Sequence, residues 1–184
     1  ETNFDQCDGY GEDKYTKDSI ELLKKRIKRD DIDIHLLVGG TQTNLIAISA
    51  FLRPHEAVIS ANTGHILVHE TGAIEATGHK VISVDVTDGK LNVSHIKSVV
   101  DIHNDEHMVK PRLVYISNST EIGSIYKKRE IEEISSYCKE NNLIFMNEID
   151  LTTKDFPFDR TELRKSIINI FLDELPGTGK GDLC

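Results

Sequence analysis

Hydrophobic and polar positions along the chain follow two periods, which predict strands and helices in regular alternation. Short apolar runs that end at small or polar residues are typical of buried strands, and apolar positions three or four residues apart favour amphipathic helices. The runs predict strands at 34–38, 57–60, 80–84, 113–117 and 143–147. The helical spacing predicts helices at 19–29, 42–52, 66–76, 94–105 and 127–140.

This alternation indicates the α/β class, with a mostly parallel sheet between two layers of helices in a three-layer α/β/α arrangement. Asp18 is expected to cap the first helix because its side chain can accept from an unpaired N–H of the first turn. The Asp88-Gly89 pair predicts a turn. Ligands of such sheets bind where the strands end, so the loops after the predicted strands are the places to look for chemistry.

The pattern weakens beyond Asp150. A further helix is predicted at 161–172, and the glycine-rich stretch at 176–181 is expected to be irregular. We therefore expect one domain over 1–184, with a divergent C-terminal tail at 151–184. The chain does not begin with Met, and its first residues are unlike a signal peptide, so we expect a trimmed or partial chain.

Composition narrows the class of partner. The 184 residues carry a formal net charge of −9, which argues against nucleic acid or an anionic membrane as the main partner. The basic run at 24–29 lies on a predicted helix and is interpreted as a solvated face. No apolar run approaches the roughly 20 residues that cross a bilayer. Three widely spaced cysteines without a CxxC pair are typical of reduced thiols, so we expect a cytoplasmic protein.

A glycine-rich turn, Gly39-Gly40-Thr41-Gln42, lies between a predicted strand and a predicted helix. Glycines let the backbone approach an anion closely, and the unpaired N–H groups at a helix start point towards it. This pattern suits a phosphate group. A strand-to-helix turn that merely needs small residues explains the same glycines equally well.

Histidine spacing raises the question of a metal. His65 and His69 are four residues apart, as are His103 and His107, and such pairs can share a metal on one helix face. Neither pair has a third ligand at a recognisable spacing. We therefore expect no metal site.

Several motifs resemble one known family. They are Gly39-Gly40-Thr41-Gln42-Thr43-Asn44-Leu45, Ala61-Asn62-Thr63-Gly64-His65-Ile66, His69-Glu70-Thr71-Gly72-Ala73 and the later Tyr115-Ile116-Ser117-Asn118. In this order they resemble the threonine aldolase and β-eliminating lyase family of fold-type I pyridoxal-phosphate enzymes, over some three quarters of the chain. The resemblance implies a partial large domain of such an enzyme, pyridoxal 5′-phosphate as cofactor and an amino acid as substrate. It also implies a homodimer or homotetramer.

The resemblance assigns roles to individual residues. Gly40, Thr41 and Gln42 would hold the cofactor phosphate. His65 would lie over the pyridine ring, where stacking and proton transfer are both chemically sensible. Asn118 follows a predicted strand at a position that often contacts the ring or its 3′-oxygen, with Ser119 and Thr120 as alternatives. A polar turn leading to Gly123 is an equally good interpretation of Asn118.

Two further groups are needed for pyridoxal-phosphate chemistry: a carboxylate for the pyridinium nitrogen and a lysine for covalent attachment. Counting from the family's Asp-Gly-Ala-Arg motif places Glu148 at the carboxylate, with Asp150 as the alternative if the register slips. The motif's arginine has no counterpart. Lys180, in Pro176-Gly177-Thr178-Gly179-Lys180, is the candidate lysine. A Walker A interpretation of this stretch is disfavoured because Glu174 replaces the first glycine and Gly181 the hydroxyl residue.

The resemblance thus implies a lyase that cleaves β-hydroxy-α-amino acids to glycine and an aldehyde, or that carries out a related β-elimination. Lys180 and His65 would be the catalytic residues. The alternative is a non-catalytic remnant of such an enzyme that serves as a binding or assembly module. The missing arginine favours the remnant, and the intact motifs at 38–84 favour the enzyme.

Overall fold

The computed structural model of the protein describes residues 6–149, which form a four-stranded parallel sheet with helices on both faces. The strand order is β2-β1-β3-β4. The elements in chain order are α1 (Lys14–Ile27), α2 (Gly40–Phe51), β1 (Glu56–Ala61), α3 (His65–Val68), α4 (Ala73–Ala76), β2 (Lys80–Val84), α5 (Val93–Ile102), β3 (Lys110–Asn118), α6 (Lys128–Glu140) and β4 (Ile144–Ile149).

Each face of the sheet has its own apolar core. Because successive side chains of a strand point to opposite faces, Ala57 and Ile59 pack on the side of α5 and α6, whereas Val58 packs on the side of α2 and α4. Tyr115 and Met146 belong to this second side. The predicted three-layer α/β/α class with a parallel sheet is confirmed.

The strand predictions at 57–60, 80–84, 113–117 and 143–147 each correspond to an observed strand. The strand predicted at 34–38 is wrong. This segment pairs with no strand among the described residues, and four of its five side chains are exposed or only half-buried. Ile34 is buried, whereas Leu36 and Val38 are exposed. Its apolar character therefore reflects one buried side chain rather than a place in the sheet.

Two helix predictions also need correction. Asp13, not Asp18, caps α1, because its side chain accepts from the Thr16 N–H at 2.9 Å. Asp18 lies inside the helix and pairs with Lys14 one turn earlier. The single helix predicted at 66–76 is divided into α3 and α4, because Thr71 and Gly72 both adopt left-handed backbone conformations, with φ of 55° and 75°.

The other predicted helices are found with shifted ends. α2 begins two residues earlier than predicted, and α5 ends at Ile102, three residues earlier. The helix predicted at 161–172 and the irregular stretch at 176–181 lie outside the described residues, and the division at 151 stays a prediction. Within residues 6–149, none of the helices combines the length and apolar character that a membrane-spanning segment requires.

Candidate functional site

The first turn of α2 has backbone N–H groups without an acceptor inside the helix. The Thr43 N–H donates to the Gly39 carbonyl at 3.0 Å and makes the first hydrogen bond of the helix. The N–H groups of Gly40, Thr41 and Gln42 come before this bond and have no carbonyl of the helix to donate to. Gly40 is buried, and the side chains of Thr41 and Gln42 are exposed. A Cβ at Gly39 would meet nothing within 4 Å, so the turn leaves open space. This geometry suits a phosphate group.

One turn into α2, the Asn44 side chain joins two carboxylates. Its Nδ2 donates to Glu70 Oε1 at 2.6 Å and to Glu148 Oε2 at 3.1 Å. Both amide hydrogens are thereby used. The Asn44 amide can reach Glu148 because Glu148 lies two residues beyond Met146 on β4. Both side chains are therefore on the sheet face that packs against α2.

His65 joins the same network through its Nδ1, which lies 3.0 Å from Glu70 Oε1. The His65 side chain is 37% exposed, whereas the Glu70 side chain is 0% exposed. The left-handed residues Thr71 and Gly72 turn the chain directly after Glu70, between α3 and α4. The imidazole of His65 therefore contacts a buried carboxylate through Nδ1, while part of the ring remains exposed.

Tyr115 supplies a further donor to Glu148. Its hydroxyl donates to Glu148 Oε2, and Ser117 Oγ lies 3.2 Å from the phenolic oxygen while donating to Glu121 Oε1 at 2.8 Å. Burial, followed by the nearby Glu148 carboxylate, raises the pKa of Tyr115 well above its ordinary value. Tyr115 therefore remains protonated and keeps donating to the carboxylate.

This raised pKa predicts a loss of stability at alkaline pH. The pKa of Tyr115 in the folded protein exceeds the value of about 10 in the unfolded chain. The contribution of protonated Tyr115 to the free energy of unfolding is therefore complete below pH 10 and declines as the pH rises above 10. Linkage gives a loss of about 1.4 kcal/mol in the free energy of unfolding by pH 11. Urea unfolding between pH 8 and 11 should show an alkaline loss that is larger by this amount in the wild type than in Tyr115→Phe.

The matched control is Tyr10→Phe, since Tyr10 is fully exposed. Its alkaline profile should follow that of the wild type. An equal alkaline loss in Tyr115→Phe and in the wild type would show that Tyr115 does not hold its proton as the structure implies. Tyr126, whose pKa is also raised by burial, contributes to all three profiles alike.

The structure brings some of the predicted site residues together. His65 and Glu148 share one hydrogen-bonded network through Asn44 and Glu70. Asn118 does not join it, because its Oδ1 accepts from the Tyr126 N–H at 3.1 Å and closes the loop towards α6. Lys180 and Asp150 lie outside the described residues, so their roles stay predictions.

Three ligand-type side chains converge at this network: His65, Glu70 and Glu148 offer atoms within 4.8 Å of one another. The carboxylate oxygens that face each other already accept from Asn44, and Glu148 accepts from Tyr115 as well. We therefore interpret the group as a hydrogen-bonded network. The two histidine pairs singled out in the sequence differ in their surroundings. The ring centroids of His65 and His69 lie 5.6 Å apart. In the other pair, His103 Nδ1 donates to the Val99 carbonyl at 2.8 Å.

Three members of the network were not predicted as site residues: Asn44, Glu70 and Tyr115. Asn44 carried a usable signal, because it lies three and four residues before the buried Ala47 and Ile48 and so on the apolar face of α2. A polar side chain on such a face needs a buried partner. Glu70 lay within a predicted helix whose break was not foreseen.

The fold and site together define the class: a parallel α/β domain that carries a glycine-rich helix start and a histidine–carboxylate network on one face of its sheet. The family model for beta-eliminating lyases matches residues 5–148. A low specificity L-threonine aldolase from a Pseudomonas species is 33% identical over 136 residues, which cover 73% of this chain. The chain belongs to the beta-eliminating lyase family.

Solved structures agree with this assignment. The threonine aldolase of Leishmania major has 51% sequence identity and a TM-score of 0.77, over 79% of this chain and 43% of its own. An aromatic aminotransferase from Pyrococcus horikoshii has 25% identity and a TM-score of 0.57, over 72% of this chain and 35% of its own. The domain therefore has the fold-type I architecture. The chain spans 39% of the length of the Pseudomonas relative.

Proposed function

We propose that this protein is a pyridoxal-phosphate-dependent lyase that cleaves β-hydroxy-α-amino acids to glycine and an aldehyde. The observation that carries the proposal is the bridge made by Asn44 of α2. Its amide connects His65, through Glu70, to Glu148. The similarity to threonine aldolases supports the substrate class. No feature of residues 6–149 favours the non-catalytic remnant over the lyase.

The described residues fit the cofactor. Its phosphate suits the N–H groups of Gly40, Thr41 and Gln42. Two buried polar atoms of the network, Asn44 Oδ1 and Glu70 Oε2, have no hydrogen-bond partner among the described residues. Buried polar atoms are nearly always satisfied, so their pattern is that of a site completed by a polar ligand.

Glu148 is the carboxylate that would pair with the pyridine nitrogen. When bound, the cofactor supplies an electron sink for the pair of electrons left by the broken carbon–carbon bond. Two donors, Asn44 Nδ2 and the Tyr115 hydroxyl, hold Glu148 Oε2 in place. Asp150, outside the described residues, remains the alternative.

His65 is the group that would move a proton. Cleavage requires the substrate β-hydroxyl to lose its proton, the Cα–Cβ bond to break with formation of the aldehyde, and Cα to gain a proton. His65 Nδ1 is turned to Glu70, which leaves Nε2 as the nitrogen able to accept the hydroxyl proton. Lys180 would attach the cofactor covalently.

The test is an assay of the chain with added pyridoxal 5′-phosphate and L-threonine, with glycine and acetaldehyde measured together. We expect equal amounts of the two products, and Glu148→Gln should lower the rate about a hundredfold because a neutral amide cannot balance the pyridinium charge. Glu132→Gln, at an exposed position of α6, should retain the wild-type rate. Absence of both products would contradict the lyase and favour the remnant.

The proposal extends to the oligomeric state and the cellular location of the protein. It also includes a related β-elimination as an alternative reaction. We infer a homodimer or homotetramer because the resemblance to threonine aldolases implies a site completed between subunits, and light scattering tests this. A cytoplasmic location is supported by the thiols of Cys7 and Cys138.

A further inference from the structure

The contact between His65 and Glu70 has a defined direction. Glu70 Oε1 accepts from Asn44 Nδ2 at 2.6 Å, and the same oxygen lies 3.0 Å from His65 Nδ1. An amide N–H can only donate, so Asn44 marks Oε1 as an acceptor. The proton between Oε1 and the imidazole therefore belongs to His65 Nδ1.

A neutral imidazole carries one proton, and the bond made by one nitrogen determines the state of the other. With the proton on Nδ1, His65 Nε2 holds an unshared electron pair. Nε2 makes no hydrogen bond to any residue between 6 and 149, and the side chain is 37% exposed, so this electron pair is accessible to a ligand.

We propose that Glu70 is a positioning residue that fixes His65 as the Nδ1–H tautomer, with Asn44 holding the Glu70 carboxylate in place. The catalytic value of this tautomer rests on the proposed function, because the Nε2 electron pair would accept the proton of the substrate hydroxyl. Glu70 acts only through His65. Its complete burial keeps solvent from competing for Oε1.

The neighbouring histidine does not fill this role. His69 lies with its ring centroid 5.6 Å from that of His65 and tilted by 49°, so the two rings are neighbours without a hydrogen bond between them. His69 is exposed, whereas Glu70 is buried. The orientation of the His65 ring is therefore fixed by its hydrogen bond to Glu70 and not by His69.

The test reads the tautomer directly and needs no cofactor. Long-range ¹H–¹⁵N correlation spectra of the chain labelled with ¹⁵N-histidine distinguish Nδ1–H from Nε2–H at pH 8, and the spectrum of His65→Gln assigns the signal. We expect Nδ1–H for His65 in the wild type. Glu70→Gln should retain it, because Asn44 holds the amide oxygen towards the ring, whereas Glu70→Leu should lose it. Glu75→Leu, an exposed position on α4, is the control and should leave it unchanged.

An Nε2–H signal from His65 in the wild type would overturn the proposal, even if Glu70→Leu fails to fold. So would a change of tautomer in Glu70→Gln, or an unchanged Nδ1–H in a folded Glu70→Leu. A lack of threonine cleavage alongside the expected tautomers would contradict the proposed lyase and leave the positioning role standing.

Discussion

Replacing Asn44 by Leu should lower the free energy of unfolding by about 3 kcal/mol. The Asn44 amide donates to both Glu70 and Glu148, and hydrogen bonds to charged groups contribute about 1.5–3 kcal/mol each. Removal of the unpartnered Asn44 Oδ1 offsets part of this loss, because a buried unsatisfied atom costs about 1–3 kcal/mol. Two carboxylates would then approach each other with no donor between them. Thermal unfolding should shift down by about 10 °C.

The coupling between Asn44 and Glu70 provides the internal check. In a Glu70→Gln background one carboxylate charge is gone, so Asn44→Leu should cost distinctly less than in the wild type. Asn104→Leu is the matched control, because the exposed Asn104 side chain donates to the Asp101 carbonyl and to no other group within residues 6–149; its effect should stay within about 0.5 kcal/mol. A loss below about 1 kcal/mol for Asn44→Leu would show that the bridge adds little.

The parallel sheet was predictable chiefly because its two central strands, β1 and β3, are buried on both faces and therefore have continuous apolar runs. All six residues of β1 are buried, and the prediction at 57–60 falls inside that strand. The same rule failed at 34–38. An apolar run does not reveal whether a neighbouring strand is present, and Val38 is 85% exposed there. Pairing is a tertiary property that a local pattern does not contain.

The break between α3 and α4 limited prediction of the site. Thr71 adopts a positive φ although it is β-branched, a conformation that local propensity disfavours. A continuous helix through 66–76 would have placed Glu70 one helical turn beyond Ile66 rather than folded back on His65. The family motifs included Glu70 and Asn44, but no pattern in the sequence indicated that their side chains meet.

Glu148 shows what resemblance and structure each contribute. Counting along the family motif placed a carboxylate at this position, and β4 turns it towards α2 on the face of Met146. The donors that hold it, Asn44 and Tyr115, come from two other elements. Their convergence depends on the packing of α2 against the sheet, which the sequence pattern alone does not specify.

Covalent attachment of the cofactor to Lys180 is the second large expected effect. Lys180 follows a Gly-Thr-Gly stretch about thirty residues beyond Glu148, which is about the distance at which the resemblance to the family predicts the attachment lysine. A lysine beside a bound phosphate ligand reacts at high effective concentration, whereas surface lysines react only by collision. Replacement by alanine should therefore abolish site-specific attachment while leaving weak labelling elsewhere.

The most direct measurement of the central claim is the site of cofactor attachment. The chain is incubated with pyridoxal 5′-phosphate, reduced with borohydride and digested, and the modified lysines are identified by mass spectrometry. We predict one dominant modification at Lys180, accompanied by a visible absorbance band before reduction that is lost in Lys180→Ala. Labelling spread over surface lysines, with no band that depends on Lys180, would contradict the account.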